Sequence, residues 1–252
     1  MNTTTVVYGL GALILGFVGL VTGDFAMQWQ PVPEWVPMRV PLAYLSAAVL
    51  LAGAVLTLLP MRASLKAPAC LGVFYGLWAL LLHLPRALRA PLDVGTWNGV
   101  AELTALAMGG IASLALIDAA YSRSAWSTRV FGACLLVFGT AHFVYDDFSA
   151  TMIPAWLPAP LFWVYLTGCG HLAAGVSLIS GVATRLASLL LTGMFACFVL
   201  LLHLPRVIAA PTARIEWIML GISTAMTGAA WIVRCVVSRD PTRIHEGTAQ
   251  PA

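Results

Sequence analysis

The sequence has few charged residues for its length. Only 9% of its 252 residues are Asp, Glu, Lys or Arg, whereas 60% are hydrophobic, and the mean hydropathy is +0.91. Soluble domains carry about 25% charged residues. A chain with so little charge cannot cover a surface that faces water, so it is predicted to be an integral membrane protein whose main partner is the lipid bilayer. The net charge of +3 gives no indication of a nucleic-acid partner.

Motifs of redox-active and secreted chains are also missing. The five cysteines include no Cys-x-x-Cys pair and lie in or beside apolar runs, where they fit as small packing residues. The segment before the first apolar run lacks the basic stretch of a signal peptide, so that run is expected to stay as a span. No electron-transfer cofactor motif is visible. Any redox chemistry would therefore need a redox partner protein.

Long apolar runs dominate what is present. A helix needs about 20 apolar residues to cross a bilayer. Eight runs of about this length occur, at 6–23, 40–59, 67–84, 97–118, 129–146, 159–181, 186–204 and 216–235. They predict an all-α fold, a polytopic membrane protein with eight transmembrane helices. The polar tail 238–252 is expected to be disordered.

An internal repeat organises the eight runs. Residues 80–86 and 200–206 both read Leu-Leu-Leu-His-Leu-Pro-Arg, and Trp97 matches Trp217 at the same offset of 120. The repeat predicts two units, 1–124 and 125–237, each a four-helix bundle. Because four spans is an even number, both units share one orientation. They form a parallel repeat about an axis along the membrane normal, and both motifs lie on one side.

The distribution of Lys and Arg predicts the orientation. With the N-terminus inside, eight of these residues fall on the inner side and five in outer loops. This favours cytoplasmic N- and C-termini and places both motifs at the outer face.

The repeated His-Leu-Pro-Arg motif has two interpretations. Proline just past a helix end prevents its continuation, and Arg in the last turn contacts free carbonyl groups, so the motif would simply close the third span of each unit. Alternatively, Arg is a fixed cation that holds an anion or a carbonyl oxygen, and the preceding His exchanges protons. For His203 we favour the functional interpretation.

Polar residues inside apolar runs are concentrated in the second unit. Ionisable groups within a span are costly and normally face a protein interior, which makes them candidates for function. The alternative is that each buried His bonds a backbone carbonyl of a neighbouring helix. The acids after Tyr145 either pair with Arg206 or lie among interfacial aromatic anchors. The candidate catalytic residues are His142, His171 and His203, the candidate substrate-binding residues are Asp146, Asp147, Arg206 and Glu216, and a secondary site in the first unit comprises His83, Arg86 and Glu102.

Haem and a metal ion are two further candidate occupants of this site. Counted from the assumed span ends, His142 lies about 9 Å and His171 about 16 Å below the rim. Two axial ligands of one haem should lie at similar depth, which argues against haem. A metal at His142, Asp146 and His203 is easier geometrically, but no ligand-spacing motif supports it. No metal is predicted, and the cofactor is left open, with a quinone as the candidate.

The second unit resembles the DoxX-like family of membrane proteins. The resemblance is carried by Tyr165-Leu166-Thr167-Gly168, by His171-Leu172-Ala173-Ala174-Gly175 and by Thr184-Arg185-Leu186-Ala187. It implies a four-helix membrane unit, here as a tandem fusion of two, in a bacterial inner membrane. It also implies a link to quinones, because some members resemble a membrane subunit of a thiosulfate:quinone oxidoreductase. The family usually has an acidic or polar residue where this chain has His171.

Three functions follow as hypotheses. The first is a quinone-linked oxidoreductase or its membrane subunit, in which His203 and His171 exchange protons and Arg206 orients the substrate. The second is a non-catalytic binder or transporter of a small amphipathic or anionic solute, held between the two units. The third is a membrane scaffold whose outer loops, around Trp156, dock a partner enzyme.

Overall fold

The structure, a computed structural model, describes residues 3–59, 66–118 and 126–239, and all regular secondary structure within these ranges is helical. Eight helices are long and apolar enough to cross a membrane, which confirms the predicted all-α, polytopic class. We number them spans 1 to 8 in chain order: Thr4–Thr22, Arg39–Leu58, Ala67–Arg89, Val94–Leu116, Trp126–Val144, Pro160–Ser180, Thr184–Ala209 and Arg214–Ser238. The predicted disordered tail lies, apart from Ser238 and Arg239, outside the described residues.

The prediction that His-Leu-Pro-Arg ends the third span of each unit is wrong. Spans 3 and 7 continue through Leu84–Arg89 and Leu204–Ala209, past the prolines. In both, the turn before the motif is a π-helix, Ala79–His83 and Phe198–His203. Proline breaks an α-helix because it lacks an N–H and its ring meets the carbonyl four residues earlier. The wider π-turn relieves that contact, so the helix continues.

The helices follow the same packing order in both halves of the chain. Span 1 packs against span 2, span 2 against span 3, and span 3 against span 4, and spans 5 to 8 repeat this order. The two halves interlock, because span 1 also packs against span 8 and span 5 against span 4. Spans 4 and 8 meet at the centre, and 78% of the most apolar stretch of span 8 is buried. The domain boundaries at 124 and 237 stay a prediction.

Small residues allow the interlocked helices to approach closely. A Cβ atom on Gly228 would lie 2.2 Å from the backbone nitrogen of Tyr8, and one on Gly109 would lie 2.3 Å from Cβ of Ala229. Neither space admits a side chain without moving a helix. Close backbone approach of this kind is how helices gain contact area inside a bilayer, where the hydrophobic effect does not drive them together.

An ion-pair cluster joins the halves where span 1 ends. Asp24 pairs with Arg214, at 3.0 Å, and with Arg39, and Arg214 also donates to the carbonyl of Phe25. Burial of Asp24 opposes its ionisation. The hydrogen bonds from Arg214, the Phe25 N–H and Arg39 outweigh that effect and hold the pKa of the carboxyl below its usual value.

Candidate functional site

A cavity with two adjoining lobes opens between the halves, on the side where both His-Leu-Pro-Arg motifs lie. The outer lobe has a volume of about 830 Å³ and the inner lobe about 460 Å³. Spans 3, 4, 7 and 8 and the short helix Asp146–Met152 contribute to the outer lobe, and spans 4 to 8 to the inner one. The lobes share four residues: Gly95, Asn98, Glu102 and Phe148. The site therefore combines side chains from both units.

Two imidazoles lie in contact in the inner lobe. The ring centroids of His142 and His171 are 4.9 Å apart, and His171 is only 2% exposed. Nδ1 of His142 donates to the carbonyl of Phe138 at 2.8 Å, and Nδ1 of His171 to that of Thr167 at 2.9 Å. Each ring is thus held by the backbone of its own helix, four residues earlier.

The contact corrects the depths estimated from the sequence. Those estimates separated His142 and His171 by about 7 Å along the membrane normal. They were counted from assumed rims, whereas the relative stagger of spans 5 and 6 is set by how the helices pack. Rings in contact leave no space for a porphyrin between them, so the geometry does not fit a haem with these two axial ligands.

Aromatic rings surround the imidazole pair. The ring centroids of Phe138, Phe195 and Phe198 lie 5.7, 5.5 and 6.3 Å from that of His171. All three line the inner lobe, together with Ile222 and Met226. The lobe thus offers apolar, aromatic walls with a few polar atoms, the usual character of a small-molecule site.

Glu102 brings an acid to the boundary between the lobes. It lies on span 4 and lines both lobes, and its neighbour one turn earlier, Asn98, does the same. The indole N–H of Trp29 faces the Glu102 carboxyl. That N–H makes no hydrogen bond of good geometry within the described part of the chain. The carboxyl of Glu102 is therefore available to a ligand in either lobe.

In the first unit, the repeated histidine lines the outer lobe. Nε2 of His83 donates to the carbonyl of Trp29 at 3.1 Å. Its Nδ1 faces Gly99, where a Cβ atom would lie only 2.4 Å away. The position equivalent to Gly99 in the second unit is Met219. The second unit thus has a methionine side chain at the position where the first unit has no side chain and the His83 ring lies. Gly99 is thus what admits His83.

The two repeated arginines have different surroundings. Arg206 forms a bidentate ion pair with Glu216. Nε of Arg206 donates to Oε2 at 2.9 Å and Nη2 donates to Oε1 at 3.0 Å. The position equivalent to Glu216 in the first unit is Thr96, which carries no charge to pair with Arg86. Among the described residues Arg86 has no ion pair, and its exposed side chain lines the outer lobe. The unneutralised cation therefore belongs to the first unit.

His203 and the acids after Tyr145 lie apart from the imidazole pair. His203 is 6% exposed, does not line either lobe, and its Nδ1 has no hydrogen-bond partner in the ranges that the structure describes. Asp146 accepts a hydrogen bond of 2.6 Å from Tyr165, which holds the pKa of its carboxyl below the usual value, and Asp147 is exposed. Arg206 pairs with Glu216 and, among the described residues, with neither of these acids, so the alternative in which Asp146 and Asp147 pair with Arg206 is wrong.

A hydrogen bond that sequence reasoning missed joins the halves at the cavity. The hydroxyl of Tyr145 donates to Asp93 at 2.7 Å, and this bond holds the pKa of the Asp93 carboxyl below its usual value. The N–H of Gly95 donates to both groups. No local pattern signals this contact, because its partners are 52 residues apart. The sequence analysis also did not single out Asn98. Its position could have indicated it, because it lies one helical turn from Glu102 inside an apolar run.

The described residues do not assemble a metal centre. Within the ranges given above, no group of three or more His, Cys, Asp or Glu side chains is placed to hold a metal ion. His142, Asp146 and His203, weighed as ligands from the sequence, are not brought together in such a group. All five cysteines are free.

The helices and the cavity define a class: a polytopic membrane protein with a ligand-sized site between its spans. Residues 127–204 match the DoxX family, which confirms the resemblance drawn from the sequence, and the chain is DoxX-like over this range. The matched range includes the imidazole pair and its aromatic walls. No curated protein and no solved structure matches the chain.

Proposed function

We propose that this chain is a quinone-binding membrane subunit of an oxidoreductase, and that the inner lobe holds the quinone head group. The observation that carries the proposal is the contact of His142 with His171 inside an aromatic lobe that also reaches Glu102. A planar ring with polar oxygens at its edge suits walls of phenylalanine with polar atoms between them. The lobe volume of about 460 Å³ lies within the usual range for small-molecule sites.

Each group of the lobe has a part in this proposal. A bound quinone would supply two-electron, two-proton redox chemistry, and electrons would pass to or from a redox partner protein. His142 and His171 would hold or release a proton at Nε2, since their Nδ1 atoms are engaged by backbone carbonyls. Glu102 would exchange protons with the outer lobe, which it also lines.

Binding to the purified protein tests the proposal. A short-chain quinone and its quinol, titrated separately into protein in lipid nanodiscs, should bind, and replacing His142 and His171 together by Ala should weaken quinol binding at least about tenfold, because the imidazoles can accept hydrogen bonds from its hydroxyl groups. Gly193→Ala is the control, since a Cβ there meets nothing within 4 Å. Failure of the unmodified protein to bind both the quinone and its quinol would exclude this function.

A second candidate is a binder or transporter of a small anionic solute. The observation that favours it is Arg86, which faces the outer lobe without an ion pair among the described residues. Parallel-repeat transporters place their site between the two repeats, as this cavity is placed. Gradient-driven uptake of an anion into proteoliposomes, reduced by Arg86→Gln, would support it. Quinone binding without any such flux would favour the first candidate.

The proposed setting is a bacterial inner membrane with both termini in the cytoplasm. It is supported by the DoxX match and by the excess of Lys and Arg on the side of the termini. Reporter fusions at the C-terminus test it. A fusion to alkaline phosphatase, active only outside the cytoplasm, should be inactive, whereas a fluorescent protein that folds in the cytoplasm should be bright.

A further inference from the structure

The hydrogen bonds of the imidazole pair reveal which atoms the inner lobe offers to a ligand. A backbone carbonyl only accepts hydrogen bonds, so the imidazole nitrogen beside it must carry the proton. Nδ1 of His142 and Nδ1 of His171 both lie beside such carbonyls. In a neutral imidazole only one nitrogen carries a proton. Both rings are thus fixed in one tautomer, with a lone pair on Nε2.

These lone pairs are free for a ligand. Nδ1 of each ring is turned back toward its own helix, so Nε2 lies on the opposite edge of a ring that lines the lobe. No protein donor reaches either Nε2 among the described residues. His171 is 98% buried (2% exposed), so its acceptor must find a donor inside the lobe.

Protonation of both rings does not change this conclusion. Two imidazolium cations with centroids 4.9 Å apart, in a lobe walled by phenylalanine, would repel each other and lose their hydration. At most one of the two rings is therefore protonated on both nitrogens, and Nε2 of the other ring remains an acceptor. An ionised Glu102, at the boundary between the lobes, adds another acceptor.

We infer that the inner lobe selects a ligand that donates hydrogen bonds, an aromatic diol of the quinol type, over the corresponding quinone. A quinol has two hydroxyl donors, whereas a quinone has only carbonyl acceptors, which would face the lone pairs of Nε2. A site built to accept from a hydroxyl discriminates strongly against an analogue without it, because its buried acceptors stay unpaired. This inference rests on the proposed function and specifies the redox form that the site prefers.

The experiment compares three ligands built on the same ring. A short-chain quinone, its quinol and the dimethyl ether of that quinol are titrated separately, without oxygen, into the full-length protein in lipid nanodiscs. The quinol should bind about tenfold or more tighter than either of the others. The ether keeps the ring and both oxygens of the quinol but has no donor and is larger by two methyl groups. The quinone has the same heavy atoms as the quinol, so it is the comparison matched in size.

Variants at the two rings link the preference to Nε2. His171→Phe keeps an aromatic ring and removes the acceptor, so the ratio of quinol to quinone affinity should fall toward one. His142→Phe is the second test, in case the more deeply buried position does not fold when changed. Gly193→Ala should keep the ratio of the unmodified protein.

The outcomes separate this inference from the proposed function. Three results would each overturn the inference that Nε2 selects the quinol while leaving a quinone-binding protein. They are equal affinity for quinol and ether, tighter binding of the quinone, and an unchanged ratio in the His→Phe variants. Failure of all three ligands to bind would overturn the proposed function as well.

Discussion

Gly99→Ala should displace the imidazole of His83 from the outer lobe. The new Cβ atom would lie 2.4 Å from Nδ1, about 1 Å closer than the 3.4 Å at which ordinary contact begins. The ring cannot simply move away, because it is buried and its Nε2 is bonded to the carbonyl of Trp29. Overpacking of this kind costs about 1–3 kcal/mol, and loss of the hydrogen bond accounts for about 1 kcal/mol of that range.

The magnitude can be isolated by a double-mutant cycle. Gly→Ala inside a helix is by itself favourable by up to about 1 kcal/mol, so the reference is Gly193→Ala, where nothing lies within 4 Å of the new Cβ atom. Relative to that reference, Gly99→Ala should lower the free energy of unfolding in detergent by about 1–3 kcal/mol. In a His83→Ala background the penalty should disappear, because the clashing atom is gone.

Two results would refute this reasoning. If Gly99→Ala costs the same with and without the His83 ring, its effect does not come from that contact. If it behaves like Gly193→Ala, the space over Gly99 is not closed by the ring, and His83 is not held in the outer lobe as described.

Three further predictions concern the interface and the site. Gly228→Ala should strongly lower the unfolding temperature, since its Cβ would meet the span 1 backbone at 2.2 Å, and an unchanged temperature would contradict the interlocked packing. Asp24→Asn should destabilise the protein at neutral pH. Hydrogen bonds from Arg214 lower the pKa of Asp24 in the fold, so the difference in stability between the unmodified protein and Asp24→Asn should fade as the pH drops below about 4. A constant difference in stability down to pH 2 would exclude the ion pair as its cause. His203→Gln should change quinol affinity less than His171→Gln, because only His171 lines the inner lobe; the reverse order would place the ligand contact at His203.

Hydropathy alone was enough to predict the class and the spans. A bilayer imposes one length and one polarity on any crossing helix, so a local count of apolar residues finds it. All eight predicted runs correspond to observed spans, with ends shifted by a few residues. The largest shifts are at the ends of spans 3 and 7, where π-turns carry the helix past Pro85 and Pro205. No propensity scale signals a π-turn before proline, because it depends on the neighbours that hold it.

The sequence also identified most of the ionisable residues that line the cavity. His142, His171, Glu102 and Arg206 were candidates because ionisable groups are rare and costly inside a span. The sequence did not indicate which of these residues come together in the fold. We expected a main site in the second unit and a separate secondary site in the first, whereas the two lobes bring residues of both into one cavity.

Only the tertiary structure decided which side chains meet. Contact between His142 and His171 depends on the rotation and stagger of spans 5 and 6, and these are set by how small and large side chains interdigitate along the whole interface. The pairing of Arg206 with Glu216, rather than with Asp146 or Asp147, depends likewise on the turn between spans 7 and 8. Composition is a property of each segment by itself, so it specifies what crosses the membrane. A binding site is a property of several helices at once, so it emerges only when they are packed.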